Sequence, residues 1–321
     1  MTERAPVAVI LPVYNRRLKL IKTLESVVAQ SKLPSVLIVV DDGSTDGTAE
    51  AAKNWLARNA PFEWMVVRQE TNAGVSVARN VGFDHIGELP FVCFLDSDDL
   101  WPRDFIAEGL RALEGCEDMV AAVADRVTER AGKRKVVQNL DSVVSNALLW
   151  VICNDGGILS CTMIRSSAAR ASGLFTPGML ASEDTDFLLR LFLLGGAAHS
   201  KAGPVLFIKN APLDATEPPN LSNSSPDLKY LWAHHLTHSV LSLPKPVLKE
   251  HEHLIRTAVA RRWANAALTN RRAGKSVHAL NCLLQAVWWD YRWGRRLKLV
   301  GWFSRGRKRA NAHYPTPFRS A

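Results

Sequence analysis

Long apolar runs are missing from this sequence. None approaches the roughly 18 residues that a membrane-spanning helix needs, and the longest, over residues 147–153 and 187–198, suit core elements. A cleavable leader is not expected, because the short apolar stretch of MTERAPVAVILPVYN runs straight into polar residues of a candidate site. Cysteine is sparse. Cys93, Cys116, Cys153, Cys161 and Cys282 are odd in number, scattered and never spaced C-x-x-C. That pattern argues against a disulfide framework or a zinc site and for a reducing compartment. The G-x-G-x-x-G fingerprint is absent, which disfavours a nicotinamide cofactor. The string Gly274-Lys275-Ser276 lacks the first glycine of a phosphate loop, since Thr269 holds its place. Residues 291–321 lack acids altogether while carrying nine Lys and Arg, so the net charge of +9 belongs to this tail and residues 1–290 sum to about zero.

What is present is an ordinary globular composition, 47% apolar and 22% charged over 321 residues. That length suggests two domains, or one large domain with an appendage. Residues 5–13, 35–40, 62–68 and 91–95 read as buried strands. Residues 16–30, 48–58 and 72–83 between them read as helices, with Leu18, Ile21, Leu24, Val27 and Val28 at helical spacing in the first. Strands alternating with helices predict an α/β fold, a mostly parallel sheet covered on both faces. Ligands of such sheets bind beyond the carboxyl ends of the strands. The polar strings fall there: Pro12–Asn15, Asp41–Asp46, Asn72–Gly74 and Asp96–Asp99. Further on, residues 156–164 read as a strand and 182–194 as a helix with Glu183, Asp184 and Asp186 in its first turn. Asp186 and Arg190 are spaced to pair. Residues 211–227 read as a linker, and residues 253–270 and 276–289 as a helix pair turning at Ala273-Gly274.

Several strings carry chemistry, each beside a plainer reading. Asp96, Asp98 and Asp99 follow a buried strand. Such crowded carboxylates either bind a divalent cation or form an acidic surface turn. DDGSTDGT between a strand and a helix either presents carboxylates and hydroxyls to a nucleobase or ribose, or is a capped turn. Arg79 in NAGVSVARN either contacts a diphosphate or pairs with a core carboxylate. Glu183-Asp184 either caps a helix or supplies a general base, the partner that transfer to a hydroxyl needs beside a neutralised leaving group. His234, His235, His238, His251 and His253 have no neighbouring cysteine or acid–His motif and read as packing or solvent-facing residues. The tail alternates Trp288, Trp289, Tyr291, Trp293, Trp302 and Phe303 with cations. It suits an anionic membrane surface, a helix packed on the domain or, least well, nucleic acid.

Taken in order, LPVYN, VVDDGSTDGT, NAGVSVARN, FLDSDD and an Glu-Asp helix start resemble glycosyltransferase family 2, with its glycosyltransferase A-type fold, over residues 5–210. The resemblance implies inverting transfer of a sugar from a nucleotide donor, most often a uridine diphosphate sugar, with Mn or Mg as cofactor. It places Pro12 and Tyr14 near the base, Asp42 on the uracil, Asp96 and Asp98 at the metal, and Asp184, preceded by Glu183, as the base. With the strand-end strings, the candidate donor-binding residues are Pro12, Tyr14, Asn15, Asp42, Ser44, Asn72, Arg79 and Asp96. LWPRD is one residue shorter than the family usually has before its proline, and the processive members' Q-x-x-R-W motif is absent. A single-addition enzyme is implied; because the tail suits a membrane surface, the expected acceptor is a glycan or lipid-linked saccharide and the expected place cytoplasmic or peripheral on the cytoplasmic face of a membrane. The catalytic domain is expected over residues 1–215 and a helical region with the basic tail over 216–321. Loops 128–145 and 211–227 are expected to set specificity. The rivals are a sugar-1-phosphate nucleotidyltransferase, disfavoured because PVYNRR holds no glycine, and a sugar-nucleotide-binding scaffold without turnover.

Overall fold

The computed structural model describes residues 4–130, 132–136, 146–153, 158–208 and 225–290. Its first strand, β1 (Ala5–Val13), is apolar along its length because it is buried at every position but Pro6. Parallel strands covered on both faces have no solvent side to alternate with. β1 lies between β2 (Pro34–Asp41) and β4 (Phe91–Phe94), parallel to both, with Val9 beside Leu37 on one side and Cys93 on the other. The edge strand β3 (Glu63–Arg68) is only half buried and pairs with β2. On the other side come β9 (Thr162–Arg165), antiparallel, then β6 (Met119–Val123) and β10 (Gly196–His199). The order of the seven strands is β10-β6-β9-β4-β1-β2-β3.

Helices follow the early strands as their periodicity requires. α1 (Arg17–Val28) buries Leu20, Leu24 and Val27, and α2 (Thr48–Asn59) buries Ala52 and Leu56. α3 (Val75–Phe83) lies on β1 and β2. Gly82 lets it come close, since a Cβ there would stand 2.4 Å from Ile10 Cγ2. α4 (Phe105–Leu113), α5 (Ala147–Cys153), α6 (Ser166–Ala171) and α7 (Glu183–Phe192) complete this stretch.

Sequence reading missed a second sheet, β5-β11-β7-β8, of β5 (Asp99–Leu100), β11 (Val205–Ile208), β7 (Arg126–Arg130) and β8 (Lys133–Val136). Its strands are two to five residues long and make no alternating pattern of useful length. β6 and β10, as MVAAV and GAAH, are built from poor strand formers whose place comes from their neighbours. The strand expected over 156–164 begins later, at Thr162, after a 3₁₀ turn over Leu159–Cys161. There the Ile158 carbonyl accepts bonds from Cys161 N–H (2.8 Å) and Thr162 Oγ1 (2.7 Å), which close the turn before the strand.

The chain divides into two compact units, Met1–Leu148 with Gly156–Asn223 and Leu149–Asp155 with Ser224–Ala321. The second is helical among the described residues: most of α5, then α8 (Pro226–Leu241), α9 (Lys245–Glu250), α10 (Glu252–Arg272) and α11 (Ser276–Trp289). The expected helix pair is α10 and α11, turning at Gly274, whose φ is +77°. Most of the expected linker lies outside the described residues. Its end is not loop, because Ser225 caps Leu228 N–H (3.2 Å) and Pro226 opens α8. The basic tail from residue 291 also lies outside the described residues, as does most of loop 128–145.

Gly43, after β2, has φ +75°, and a Cβ there would stand 2.8 Å from the backbone of Thr71 and Asn72. Gly43→Ala is expected to cost about 2–4 kcal/mol from left-handed strain plus this clash. Urea unfolding reads it, and an unchanged midpoint would refute the close approach of these two loops.

Candidate functional site

Parallel strands all deliver their carboxyl ends to one edge of the sheet, and three loops meet there. Asn15, just past β1, adopts φ +47° and donates its N–H to Ser44 Oγ (2.8 Å). Its Oδ1 accepts Thr45 N–H (2.8 Å). Arg16 N–H bonds Thr48 Oγ1 (3.1 Å), and Asp46 receives Arg17 N–H (3.2 Å) and Thr48 N–H (3.0 Å). Asp42 reaches across to the loop before α3. Its Oδ1 accepts Ala73 N–H (2.7 Å) and a bond from Gln69, and its Oδ2 accepts Gly74 N–H (2.9 Å). Asp42 is 4% exposed, so this carboxylate fixes the shape of the loop that carries Asn72. Asn72 is exposed, Tyr14 half-buried and Pro12 buried within β1.

The centre of the site is Arg79, on α3 and 3% exposed. One terminal nitrogen donates to Asp96 Oδ1 (2.8 Å), past the end of β4, and the other to Glu183 Oε1 (3.0 Å), the first residue of α7. Its guanidinium lies 5.0 Å from the centre of the Phe175 ring. Of the two roles open to Arg79 in the sequence, the structure displays the carboxylate pairing. Burial opposes its charge, but Asp96, Glu183 and Asp184 outweigh burial and hold the guanidinium above its ordinary value. Glu183 is pushed above the usual carboxylate range by burial first and by Asp184 second, with Arg79 pulling the other way. Its bond to Arg79 ties the start of α7 to α3. Asp184, the next residue, is half-buried, and its Oδ1 accepts Thr185 N–H (2.7 Å).

The acidic trio is split three ways. Asp96 pairs with Arg79, Asp98 pairs with Arg16, and Asp99 is a strand residue opposite Phe207. Ser160 Oγ accepts Asp96 N–H (3.2 Å), and Ser160 O accepts the Trp101 indole N–H (2.7 Å), which pins the turn from both ends. Among the described residues, no group of three or more His, Cys, Asp or Glu is placed to hold a metal ion. Asp96 and Asp98 are nonetheless oxygen donors of the type Mg²⁺ and Mn²⁺ take. Two carboxylates fit a cation that completes its shell with phosphate oxygens and water, and such a cation would share them with Arg16 and Arg79.

Sequence reading missed Arg16, Gln69, Asn80, Phe175 and Ser160. Asn80 donates to the Phe175 carbonyl (2.8 Å) and accepts the Phe175 N–H (3.1 Å), which sets that ring beneath Arg79. Arg16 follows Asn15 directly, and its place beside a strand-end site was the available signal. The expected Asp186–Arg190 pair forms at 2.8 Å.

A mostly parallel sheet with an acidic pair at its carboxyl edge and an acidic helix start beside it has the arrangement expected of the glycosyltransferase A-type fold. The chain belongs to glycosyl transferase family 2, whose model, described as "Glycosyl transferase family 2", matches residues 8–169. It is 34% identical over 110 residues to the amylovoran biosynthesis glycosyltransferase AmsB of Erwinia amylovora, a match covering 34% of this chain and 36% of AmsB. The matched part spans less than half the length of the curated relatives. In fold, the chain is similar to S. aureus TarS 1–349 in complex with UDP-GlcNAc, with a TM-score of 0.65, 19% identity and coverage of 88% of this chain and 81% of that one. It is also similar to the mannosyltransferase PcManGT of Pyrobaculum calidifontis in complex with GDP-Man and Mn²⁺, with a TM-score of 0.59, 18% identity and coverage of 94% and 85%.

Removing the Arg79 charge leaves Glu183 buried without its counter-ion. Arg79→Met is expected to lower stability by about 3–5 kcal/mol. A carboxyl raised in the folded state holds a proton that the unfolded chain has released, so it costs stability as pH rises through that window. Without Arg79 that cost grows, and the variant should lose more at about pH 7.5 than at about pH 5. Urea midpoints at both pH values check this. Equal losses would leave packing, not charge, as the role of Arg79.

Proposed function

We propose that this protein transfers a sugar from a nucleoside diphosphate donor to a hydroxyl of a glycan or lipid-linked saccharide, with inversion at the anomeric carbon. The observation that carries the reading is the Asp96–Arg79–Glu183 bridge. It ties Asp96, past the end of β4, to Glu183 at the start of α7, the residue before Asp184. In the reaction, the acceptor oxygen attacks the anomeric carbon from the face opposite the diphosphate. The carbon–oxygen bond to the diphosphate breaks as the new glycosidic bond forms. Asp184 takes the acceptor's proton, and the diphosphate leaves with the bonding electrons. A carboxylate in this place contributes roughly 10²- to 10⁴-fold.

The leaving diphosphate gathers negative charge next to Asp96 and Asp98. A divalent cation held by those two residues would neutralise it. Arg16 and Arg79 keep the two carboxylates in place. Support comes from the family, from AmsB's role by name in amylovoran biosynthesis, and from neighbours solved with UDP-GlcNAc and with GDP-Man and Mn²⁺. The donor base in this proposal is uracil, read by Asp42. Its Oδ2 accepts one backbone bond and, with two lone pairs, keeps capacity for an imide N–H. Tyr14, Asn15 and Asn72 line the same strand ends.

The test is nucleoside diphosphate release from a panel of sugar nucleotides, with Mn²⁺ and with chelator. One donor should be consumed in a cation-dependent way, and Asp98→Ala should lose that release. Asp184→Asn should lower turnover about 10²- to 10⁴-fold while donor binding by calorimetry is kept. Equal turnover in that variant would remove Asp184 as the base. A panel giving neither release nor any donor-induced thermal shift would overturn the function.

A further inference from the structure

α11 carries two apolar faces, and among the described residues only one is covered. Ala279, Cys282, Leu283, Ala286 and Trp289 are buried, on a helix that packs against α10. Burial pushes the Cys282 thiol up to about 11, as expected of a core residue. Val277, Leu280, Leu284 and Trp288 are exposed, by 73%, 39%, 59% and 65%. Steps of three and four residues put them in one stripe along the helix. An outward stripe of this kind on a soluble domain ordinarily alternates with charges, but residues 276–289 contain no Asp, Glu, Lys or Arg.

We propose that this outer face of α11 docks on an anionic membrane surface. The charge around it decides the occupant. α10 ends in Arg271 and Arg272 just before the helix. The 31 residues after Asp290 hold nine Lys and Arg and no acid, with Tyr291, Trp293, Trp302 and Phe303 among them. An uncharged helix with an apolar stripe, a tryptophan at its end and cations on either side has the composition of an interfacial anchor: the stripe enters the headgroup region and the cations meet anionic lipids. A second copy is the poorer occupant, since pairing two stripes would bring two tails of nine like charges together. Nucleic acid would meet the cations but leave Val277, Leu284 and Trp288 unburied. The inference does not depend on the transfer reaction.

The test uses the full chain with sedimentation on vesicles of phosphatidylcholine alone and with about 30% phosphatidylglycerol. The protein should pellet with the anionic vesicles and far less with the neutral ones. Raising salt to about 0.5 M should weaken binding by screening. Leu280→Gln with Leu284→Gln, both at exposed positions, should lower the partition coefficient about tenfold, with an unchanged circular dichroism spectrum. Three results would each overturn the proposal. One is no pelleting with either vesicle. Another is a double variant that pellets like wild type, which would leave the tail charges alone as the anchor. The last is a wild-type dimer that the variant converts to monomer without any vesicle binding, which would make the stripe an interface between copies.

Discussion

A buried arginine cannot stand alone in a protein interior, and the site is arranged around that fact. An ion removed from water costs several kcal/mol unless its partners are well placed. Arg79 meets this with two carboxylates from distant parts of the chain and an aromatic face beneath it. The consequence is positional. Asp96 comes from the end of β4, Glu183 from the start of α7, and Arg79 from α3, so the three elements cannot shift independently without exposing an unpaired charge. Asn80, the next residue on α3, holds the backbone of Phe175 through two bonds, and Phe175 stacks on Phe187 of α7 at 4.4 Å. One turn of α3 thereby carries both the charged and the apolar fastening of the helix that bears Asp184.

Backbone strain falls in the same places. Among the described residues, the non-glycine positions with positive φ are Asn15, Leu174 and Ser182. Each lies at an edge of the site: beyond β1, before Phe175, and at the cap of α7. Such conformations cost of order 1–3 kcal/mol and persist only where neighbouring bonds over-determine them. Those bonds are present. Asn15 is tied to Ser44 and Thr45, and the Leu174 carbonyl accepts Arg190 at 2.6 Å. The burial of a large sheet core, with nearly every residue of β1 and β2 inside, holds the elements that keep this strain in place.

How far the sequence could be read follows from the range of each interaction. β1 to β4 and the helices between them were legible because continuous branched runs and 3.6-residue spacing are local signals, and Pro12–Asn15, Asp41–Asp46 and Asp96–Asp99 do sit at strand ends. Arg79 was found but its role stayed open, since its partners stand 17 and 104 residues away. Arg16 was passed over because its partner, Asp98, is 82 residues on. The small second sheet was illegible for a related reason. β5 is two residues long and exists only because β11 comes back to pair with it. That pairing makes Asp99 a strand residue, while Asp96 and Asp98 each take an arginine, so a trio in sequence has three different settings in the fold.

The electrostatics of Asp96 and Asp98 also bear on the charge balance of the site. Asp96, Asp98, Glu183 and Asp184 face the two guanidinium groups of Arg16 and Arg79. The cluster is negative as it stands, and a diphosphate would add like charge to it. In the proposed reaction, a divalent cation held by Asp96 and Asp98 would offset that charge. The contact between Arg16 and Asp98 compensates one carboxylate of the pair, as Arg79 compensates the other. Arg79 is the more deeply buried of the two cations, 3% exposed where Arg16 is half-buried, so its charge depends the more on its carboxylate partners.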